Sequence, residues 1–375
     1  MKIAFLITST GWGGLEMNTL KLARLLSEKG YNITLITQEQ STIYNKGKDL
    51  FSASILIKSN RKYFDFGTAK KISKSLKENG ISTLMTFDNK DIDVVAWTKK
   101  IYFKDLKVIY QQHMQIGINK KDLIHTFRFK SIDCWISPLN YLKNEISERT
   151  KFPSEKIKVI PLCLDISKFT QRKYSKKEAL ELLNISPKAP LIGIIGRIGE
   201  KKGQLFLVES LMKLKQRGIQ IELLIFGSAT VNDPVCMEYS EKLFQTVKEN
   251  NLEEVVHFVE FQENVSLFYN SVDVFALASH SETYGMVTIE AMLSKLPIIA
   301  TQSGGTSEIL DFGKLGLLYE YENHEDFCQK IIQLIENKTE SDNRVVLAQK
   351  IASEKFSQEI EIEEIDILIK KLQTK

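Results

Sequence analysis

Short apolar runs alternate with amphipathic stretches along almost the whole chain, and this alternation restricts the fold more than any other feature. The apolar runs cover residues 2–8, 32–37, 54–57, 83–87, 107–111, 134–137 and 158–160, then 191–196, 222–226, 255–258, 274–277, 297–300 and 316–319. Helical patterns separate them, for example at 16–29, 68–79, 203–216, 236–249, 286–294 and 324–335. Such alternation is typical of parallel strands covered by helices on both faces. The pattern therefore predicts an α/β fold with doubly wound parallel sheets.

Two such sheets in series suit a chain of 375 residues, which is too long for one ordinary core. The segment 161–190 is polar, basic and interrupted by prolines, so a domain boundary is expected there. We predict a first Rossmann-like domain over 1–165 and a second over 166–356. Apolar residues recur near the end and predict a C-terminal helix over about 357–375. Open parallel sheets bind ligands beyond the carboxyl ends of their strands, so two facing domains are expected to enclose a cleft.

The composition is that of a globular protein, with 43% hydrophobic and 26% charged residues. No apolar run approaches the ~20 residues needed to span a bilayer. The apolar run at the N-terminus is too short for a signal peptide. The cysteines are widely spaced and form no CxxC pair, which predicts a reduced, cytoplasmic setting; they are Cys134, Cys163, Cys236 and Cys328.

Charge is divided unevenly along the chain. Residues 1–165 carry 27 basic and 16 acidic side chains, a net charge of +11, and the remainder carries 24 and 31, a net charge of −7. The segment 115–130 interleaves basic and apolar residues, a pattern that can rest on an anionic membrane surface. The alternative is an ordinary solvated surface. We see no aromatic and basic platform of the kind that binds nucleic acid, and expect none to be a partner.

Two carboxylates, Glu282 and Glu290, flank a glycine at the start of a predicted helix. A helix that opens on Gly285 has free backbone N–H groups, and its dipole favours an anion there. We expect a donor phosphate to meet the backbone around Tyr284, Gly285, Met286 and Val287. The alternative is that the two acids are an ordinary helix-terminal carboxylate and an exposed helix acid.

A basic loop, Gly-Arg-Ile-Gly-Glu-Lys-Lys-Gly, follows the apolar run at 191–196 directly. Its Arg197 and Lys202 lie at the carboxyl end of a predicted strand, where two cations suit a diphosphate. A solvated basic turn is the alternative.

Two positions in the first half are also candidates for a ligand site. Gly13 and Gly14 follow the first predicted strand and allow close approach of the backbone to a ligand. The run lacks the Lys-Ser/Thr of a Walker loop and the third glycine of a dinucleotide fingerprint. His113 follows the predicted strand at 107–111, a position that favours a site role over a satisfied polar residue.

Taken in order, these motifs resemble those of glycosyltransferase family 4, the retaining nucleotide-sugar glycosyltransferases with the GT-B fold. Residues 282–290 are similar to the Glu-x7-Glu motif of that family, and 196–203 to its Gly-Arg-x4-Lys-Gly motif. Residues 13–16 resemble its Gly-Gly-x-Glu loop, and 304–308 its Gly-Gly-x-x-Glu turn. The chain departs from the family pattern where Leu162 and Cys163 replace Asn and Gly, and where Glu260 replaces a glycine.

The resemblance implies roles for the candidate residues. Arg197 and Lys202 are expected to hold the donor diphosphate and to stabilise it as it leaves. Glu282 is expected to contact hydroxyls of the transferred sugar, and Glu290 the ribose diol. His113 is expected near the donor sugar and the acceptor, and the C-terminal helix is expected to cross back onto the first domain.

The sequence thus predicts a retaining glycosyltransferase that moves a hexose-type sugar from a nucleotide diphosphate sugar, most readily a UDP- or GDP-sugar, to a hydroxyl. We recognise no Asp-x-Asp run as a metal motif, so catalysis is predicted to need no metal and no resident cofactor. The acceptor is expected to be lipid-linked or a saccharide, in polysaccharide, lipopolysaccharide or glycolipid synthesis, with the enzyme peripheral at the inner membrane face. A non-hydrolysing sugar-nucleotide epimerase and a catalytically silent nucleotide-sugar-binding subunit remain as alternatives.

Overall fold

The chain divides into two compact units in a computed structural model that describes residues 1–58, 64–230 and 233–374. The first unit comprises Met1–Leu162 and Gln358–Lys375, and the second comprises Cys163–Ser357. Lys375, at the end of the predicted C-terminal helix, lies outside the described residues.

The first unit is built on a seven-stranded sheet of parallel strands in the order β3-β2-β1-β4-β5-β6-β7. The strands are β1 (Lys2–Leu6), β2 (Asn32–Gln38), β3 (Ala53–Ile57), β4 (Thr83–Thr86), β5 (Lys107–Gln111), β6 (Cys134–Ser137) and β7 (Ile157–Val159). The α-helices are α1 (Gly14–Glu28), α2 (Thr42–Gly47), α3 (Phe66–Glu78), α4 (Ile92–Trp97), α5 (Leu123–Phe129) and α6 (Asn140–Arg149). A π-helical stretch, Thr98–Tyr102, continues α4.

The strand period of two residues explains why both faces of this sheet are apolar. Ile3 and Phe5 of β1 point into one hydrophobic cluster, whereas Ala4 and Leu6 point into another on the opposite face. Each cluster is completed by helices that bury one stripe of their side chains. The sheet is therefore buried on both sides, as parallel sheets are.

The last helix returns to this first unit. Helix α16 (Gln358–Gln373) follows the whole second unit in sequence, yet its Ile362, Ile365 and Ile369 join the cluster that contains Ile3 and Leu22. The predicted return of the C-terminal helix to the first domain is confirmed.

The second unit is built on a six-stranded parallel sheet in the order β10-β9-β8-β11-β12-β13. The strands are β8 (Leu191–Ile195), β9 (Glu222–Phe226), β10 (Val256–Val259), β11 (Val274–Leu277), β12 (Ile298–Thr301) and β13 (Leu317–Tyr319). The helices are α7 (Ser167–Thr170), α8 (Lys176–Leu182), α9 (Gln204–Gln216), α10 (Pro234–Glu249), α11 (Ser266–Ser271), α12 (Met286–Leu293), α13 (Thr306–Ile309), α14 (His324–Glu336) and α15 (Lys338–Lys355).

The strand order reverses next to β8 and places β8, β11 and β12 side by side at the centre of the second sheet. Loops that leave the carboxyl ends of adjacent parallel strands meet at one edge. The prediction of two doubly wound parallel sheets is confirmed, and the second sheet brings the loops after residues 195, 277 and 301 together. None of the helices in the described part of the chain is long and apolar enough to cross a membrane.

Candidate functional site

Three loops at the carboxyl edge of the second sheet are tied together by backbone hydrogen bonds. The N–H of His280, after β11, donates to the carbonyl of Lys201, after β8, at 2.9 Å. The N–H of Gly305, after β12, donates to the carbonyl of Glu282 at 2.9 Å. The loops that carry the predicted Lys202 and Glu282 are thus held in a fixed relation by these two backbone hydrogen bonds.

Close approach of two of these loops requires a glycine at position 203. Gly203 has φ +75°, a conformation that L side chains rarely adopt, and it precedes α9. A Cβ atom at this position would lie 2.2 Å from the carbonyl oxygen of Ala278. The glycine that ends the basic loop therefore allows that loop to touch the loop after β11.

Lys202 and Glu282 form an ion pair in this structure. The Lys202 Nζ atom lies 2.5 Å from Glu282 Oε1, and the Ser279 hydroxyl donates to the same oxygen at 2.7 Å. The side chains are 35% and 16% exposed, so the pair is partly shielded from solvent. The structure brings these two predicted site residues into direct contact.

Arg197, in the same basic loop, has a different partner. Its side chain is exposed, and its Nη1 donates weakly to the Thr230 hydroxyl, after β9, at 3.4 Å. Among the described residues the structure gives no contact between Arg197 and the Lys202–Glu282 pair. In the part of the chain that the structure describes, this long hydrogen bond holds the guanidinium only weakly, and its charge also interacts with Asp233.

Helix α12 begins close to Glu282. Gly285 precedes it with φ +94°, and its carbonyl accepts from the Thr288 N–H at 3.0 Å. The N–H groups of Met286 and Val287, in the first turn, lie beyond the reach of the i−4 bonds of the helix. Met286 and Val287 are partly buried, whereas Tyr284 is buried and its ring packs edge-on to Phe356 at 6.5 Å. The Tyr284 side chain therefore supports the loop and does not face a ligand.

Glu290 lies in the same helix and is held by a different partner. The Tyr269 hydroxyl, from α11, donates to Glu290 Oε2 at 2.6 Å. Burial raises the pKa of Glu290, and the hydrogen bond from Tyr269 opposes that rise. Tyr269 is itself buried, and burial followed by the Glu290 charge raises its pKa well above the usual value. No other described residue donates to this carboxylate, so Oε1 remains available as an acceptor.

In the first unit, Gly13 and Gly14 form the start of α1. The N–H of Gly13 donates to the Glu16 carboxylate at 2.8 Å, and Glu16 is buried. The Glu of the Gly-Gly-x-Glu run therefore shapes the loop from within. Another carboxylate supports the neighbouring loop, since buried Asp91 accepts from the Thr8 backbone N–H at 2.9 Å and from its hydroxyl.

His113 follows β5 and faces the interior of its loop. Its Nε2 is buried without a hydrogen-bond partner among the described residues, and its ring lies 6.2 Å from that of Phe87. Burial, with a smaller contribution from the positive charge of Lys21, lowers the pKa of His113 to about 3. The imidazole is therefore neutral at physiological pH.

Sequence reasoning missed three residues that organise these sites: Tyr269, Ser279 and Asp91. Tyr269 and Asp91 act on residues 21 and 83 positions away. No local pattern marks such a partner. Ser279 is three residues from Glu282, and a hydroxyl that close to a candidate acid was a detectable signal.

Within the described residues, no group of three or more His, Cys, Asp or Glu side chains is arranged to hold a metal ion. The sequence does contain one Asp-x-Asp run, Asp91-Ile92-Asp93, which the prediction of metal independence overlooked. Both of its carboxylates are buried; Asp91 accepts from Thr8, and Asp93 pairs with Arg128.

Two family models match the chain and together follow its two halves. Glycosyltransferase Family 4 matches residues 12–168, and Glycosyl transferases group 1 matches residues 175–351. HepE of Anabaena, solved in complex with UDP, superposes with a TM-score of 0.86 at 19% identity, over 99% of this chain and 100% of that one. The chain is built from two glycosyltransferase domains in the GT-B fold.

Relatives of this glycosyltransferase act in the synthesis of surface polysaccharides. The O-antigen biosynthesis glycosyltransferase WbnH of Escherichia coli is 27% identical over 86% of this chain and 87% of its own length. The capsular polysaccharide biosynthesis glycosyltransferase CapM of Staphylococcus aureus is 30% identical, but the match spans 47% of this chain and 44% of CapM. The predicted GT-B glycosyltransferase is thereby confirmed.

Proposed function

We propose that this glycosyltransferase moves a hexose-type sugar from a nucleotide diphosphate sugar to a hydroxyl, with retention of the anomeric configuration and without a metal ion. The observation that carries the proposal is the arrangement of Lys202, Glu282 and the start of α12 at one edge of the second sheet. It combines a cation, a hydrogen-bond acceptor and the N-terminus of a helix on two neighbouring loops.

The leaving diphosphate is stabilised by charge in this proposal. Lys202 supplies a positive charge beside the N-terminus of α12, whose unpaired N–H groups attract anions. Arg197 is exposed and weakly held, so it can turn towards a bound diphosphate. Preorganised donors of this kind take the place of a divalent cation at the leaving group.

The two acids recognise the two ends of the donor. Glu282, at the mouth of the site, accepts from hydroxyls of the transferred sugar. Glu290 accepts from the ribose diol through Oε1, while Tyr269 fixes Oε2. A carboxylate that is already oriented by one hydrogen bond loses less freedom when it binds a diol.

His113 does not serve as the base in this mechanism. A pKa of about 3 makes the imidazole a poor proton acceptor, and burial of its Nε2 keeps that nitrogen from contact with a sugar hydroxyl in this conformation of the loop. The acceptor oxygen attacks the anomeric carbon on the face from which the phosphate leaves. The bond to the diphosphate oxygen breaks, and that oxygen takes the proton of the acceptor hydroxyl.

Two comparisons support the choice of donor and acceptor. HepE binds UDP, which favours a UDP-sugar, although a GDP-sugar fits the same chemistry. WbnH acts in O-antigen biosynthesis, which favours a lipid-linked or saccharide acceptor for this chain. We therefore place the reaction in the synthesis of a cell-surface polysaccharide, lipopolysaccharide or glycolipid.

The first unit offers a surface for a membrane-bound acceptor. We define its apolar patch by five residues that line a cavity of about 200 Å³: Phe64, Trp97, Leu123, Ile124 and Phe127. Leu123 is 84% exposed, and the basic side chains of Lys121 and Lys130 are exposed on either side of it in sequence. Apolar side chains beside lysines suit an anionic bilayer surface, and we propose that the enzyme is peripheral at the inner face of the plasma membrane.

The donor site is tested by thermal shift against UDP, GDP and their sugar nucleotides, with and without a chelator. Ligand at ~100 times its dissociation constant adds about 2.7 kcal/mol to the stability. We expect one nucleotide family to stabilise the protein, chelator to have no effect, and Lys202→Ala to reduce the shift because it weakens nucleotide binding.

Lys201→Ala is the matched control, because Lys201 is the neighbouring exposed lysine of the same loop and contacts the site only through its backbone carbonyl. This variant should respond like the wild type. No response of the wild-type protein to any nucleotide would contradict the proposed donor site. Transfer to an acceptor, with the anomeric configuration read by NMR, tests retention.

A further inference from the structure

Lys202, the cation that we propose binds the donor diphosphate, already forms an ion pair with a carboxylate of the same site. Lys202 Nζ contacts Glu282 Oε1 at 2.5 Å, and Ser279 donates to that oxygen at 2.7 Å. Glu282 is the less exposed member of the pair, at 16% against 35% for Lys202. A ligand phosphate must therefore compete with Glu282 for Lys202.

Glu282 cannot move far when that competition occurs. Its backbone carbonyl accepts from the Gly305 N–H at 2.9 Å. The preceding glycine, Gly304, has φ +60°, and a Cβ atom there would lie 2.2 Å from the same carbonyl. The segment around Glu282 is thus packed against the loop after β12, whereas the lysine side chain is long and more exposed. Lys202 is the partner that moves.

When a diphosphate binds Lys202, the Glu282 carboxylate loses its cation. That carboxylate then lies close to the negative charges of the diphosphate. A sugar attached to that diphosphate has hydroxyl groups that can donate to Glu282 and replace Lys202. A bare nucleoside diphosphate has no such groups. Sites that leave a partly buried polar group unpaired discriminate strongly against the ligand that lacks the matching hydroxyl.

We propose that Glu282 is the residue that makes this site prefer the sugar-loaded donor over the nucleoside diphosphate product. This role rests on the proposed function, and it concerns the Glu282 carboxylate both in the free enzyme and in the product complex. Glu282 weakens the binding of the bare diphosphate through its hold on Lys202, and this favours release of the product once the sugar has left.

The experiment compares the affinities of UDP and UDP-glucose, or of GDP and a GDP-sugar if the screen selects guanosine, by isothermal titration calorimetry. Glu282→Gln keeps the size of the side chain and removes its charge. We expect Glu282→Gln to bind the bare diphosphate about fivefold more tightly than the wild type, the scale of one partly exposed ion pair. The sugar nucleotide should gain nothing, so the preference for the loaded donor should fall.

Glu200→Gln is the matched control, because Glu200 is an exposed acid two residues before Lys202. It removes the same charge from the same loop and should change neither affinity by more than about twofold. A double-mutant cycle adds a second criterion. In a Lys202→Ala background, Glu282→Gln should no longer strengthen the binding of the bare diphosphate, because there is no cation to release.

The outcomes separate this inference from the function on which it rests. If the wild type binds nucleotide but Glu282→Gln binds the bare diphosphate no more tightly, the selectivity role is wrong and the donor site stands. Equal strengthening by Glu200→Gln, or an unchanged effect in the Lys202→Ala background, also overturns it. Either result would mean that tighter binding comes from the lower negative charge of the protein and not from release of Lys202. If the wild type binds no nucleotide, both proposals fail.

Discussion

At the scale of single residues, the two acids of the 282–290 motif are distinguished by their partners. Glu282 contacts a cation and a hydroxyl on neighbouring loops, whereas Glu290 contacts the hydroxyl of Tyr269 on α11. The first carboxylate can exchange its partner for a ligand. The second is oriented by a buried tyrosine. In the proposed function it keeps that partner when a nucleotide binds, and Tyr269 is a positioning residue for the nucleotide end of the donor.

Tyr269→Phe should weaken nucleotide binding by about threefold to tenfold, because a hydrogen bond to a charged group contributes about 1 kcal/mol or more to orientation and desolvation. Calorimetric titration with the selected nucleoside diphosphate measures this. Tyr31→Phe is the control, since Tyr31 donates to Asp366 at the same distance, 2.6 Å, but in the first unit. It should lower stability and leave nucleotide affinity unchanged. Equal affinity for wild type and Tyr269→Phe would refute the positioning role.

His113 makes the stability of the protein sensitive to mild acid. Its pKa is about 3 when folded against an ordinary value near 6.5, so the unfolded chain binds the additional proton between these values. The contribution of the neutral imidazole to the free energy of unfolding is therefore fully present above about pH 6.5 and is lost as the pH falls towards about 3. Between pH 7 and pH 5 the expected loss is about 2 kcal/mol.

Urea unfolding at pH 7 and pH 5 tests this prediction with His113→Gln, which cannot titrate. The variant should lose about 2 kcal/mol less than the wild type over that interval, whatever its absolute stability. His125→Gln serves as the comparison, because His125 pairs with Asp122 on a partly exposed helix. A wild type and a His113→Gln variant with the same pH dependence would show that the imidazole is not held neutral.

The residues that carry charge in the second site could be predicted from the sequence, and their supports could not. Lys202 and Glu282 lie in loops whose position after strands is visible in the apolar pattern. Tyr269 is a tyrosine in a short apolar helix, where the ordinary interpretation is packing. Its role depends on the angle at which α11 passes α12, and that angle is set by tertiary packing.

At the scale of secondary-structure elements, the strands were predictable because burial on both faces makes them continuous apolar runs. Each strand of both sheets was expected within a few residues of its observed bounds. Helix α15 was not expected. Among its 18 residues Ser341, Ala348 and Ala352 are the buried ones, so it lacks the apolar stripe that marks an amphipathic helix, although it packs against α12.

Helix α16 supplies a testable contribution to the first unit. Ile365→Ala removes a fully buried side chain from the cluster shared with α1 and should cost about 2–5 kcal/mol of stability. Ile367→Ala is the matched control on the same helix, since Ile367 is 53% exposed and should cost less than about 1 kcal/mol. Urea denaturation followed by circular dichroism measures both. Equal costs would mean that α16 does not contribute to the core.

At the scale of the whole molecule, charge is distributed unevenly between the parts of the chain for which we propose membrane contact and donor binding. The first 165 residues carry a net charge of +11, and they include the apolar patch with its neighbouring lysines. The remaining residues carry −7, although a diphosphate is bound there in our proposal. In this proposal, local cations at the donor loops have to outweigh an acidic surrounding, whereas the net positive charge of the first 165 residues favours contact with an anionic membrane surface.

If the first unit contacts a membrane, the protein should bind vesicles that contain phosphatidylglycerol more strongly than vesicles of pure phosphatidylcholine. It should be released as salt rises from about 0.1 to about 0.5 M, because salt screens the attraction between the charges. The double variant Leu123→Asp with Ile124→Asp should bind at least about fivefold more weakly in a co-sedimentation assay.

The control for this surface is Leu182→Asp with Val235→Asp, which adds the same charge at exposed apolar positions of the second unit. It should bind vesicles like the wild type. Identical binding by both double variants would show that the apolar patch is not the contact surface.

The return of α16 to the first unit has a consequence for synthesis of the chain. The ribosome makes residues 1–162 first, then the 195 residues of the second unit, and only then the helix that completes the first core. At about 5–20 residues per second this interval lasts roughly 10–40 seconds. During it the apolar face of α1, including Leu22 and Leu26, lacks its covering helix. The first unit is thus the last to finish folding, and a nascent chain is most exposed to chaperones and proteases there.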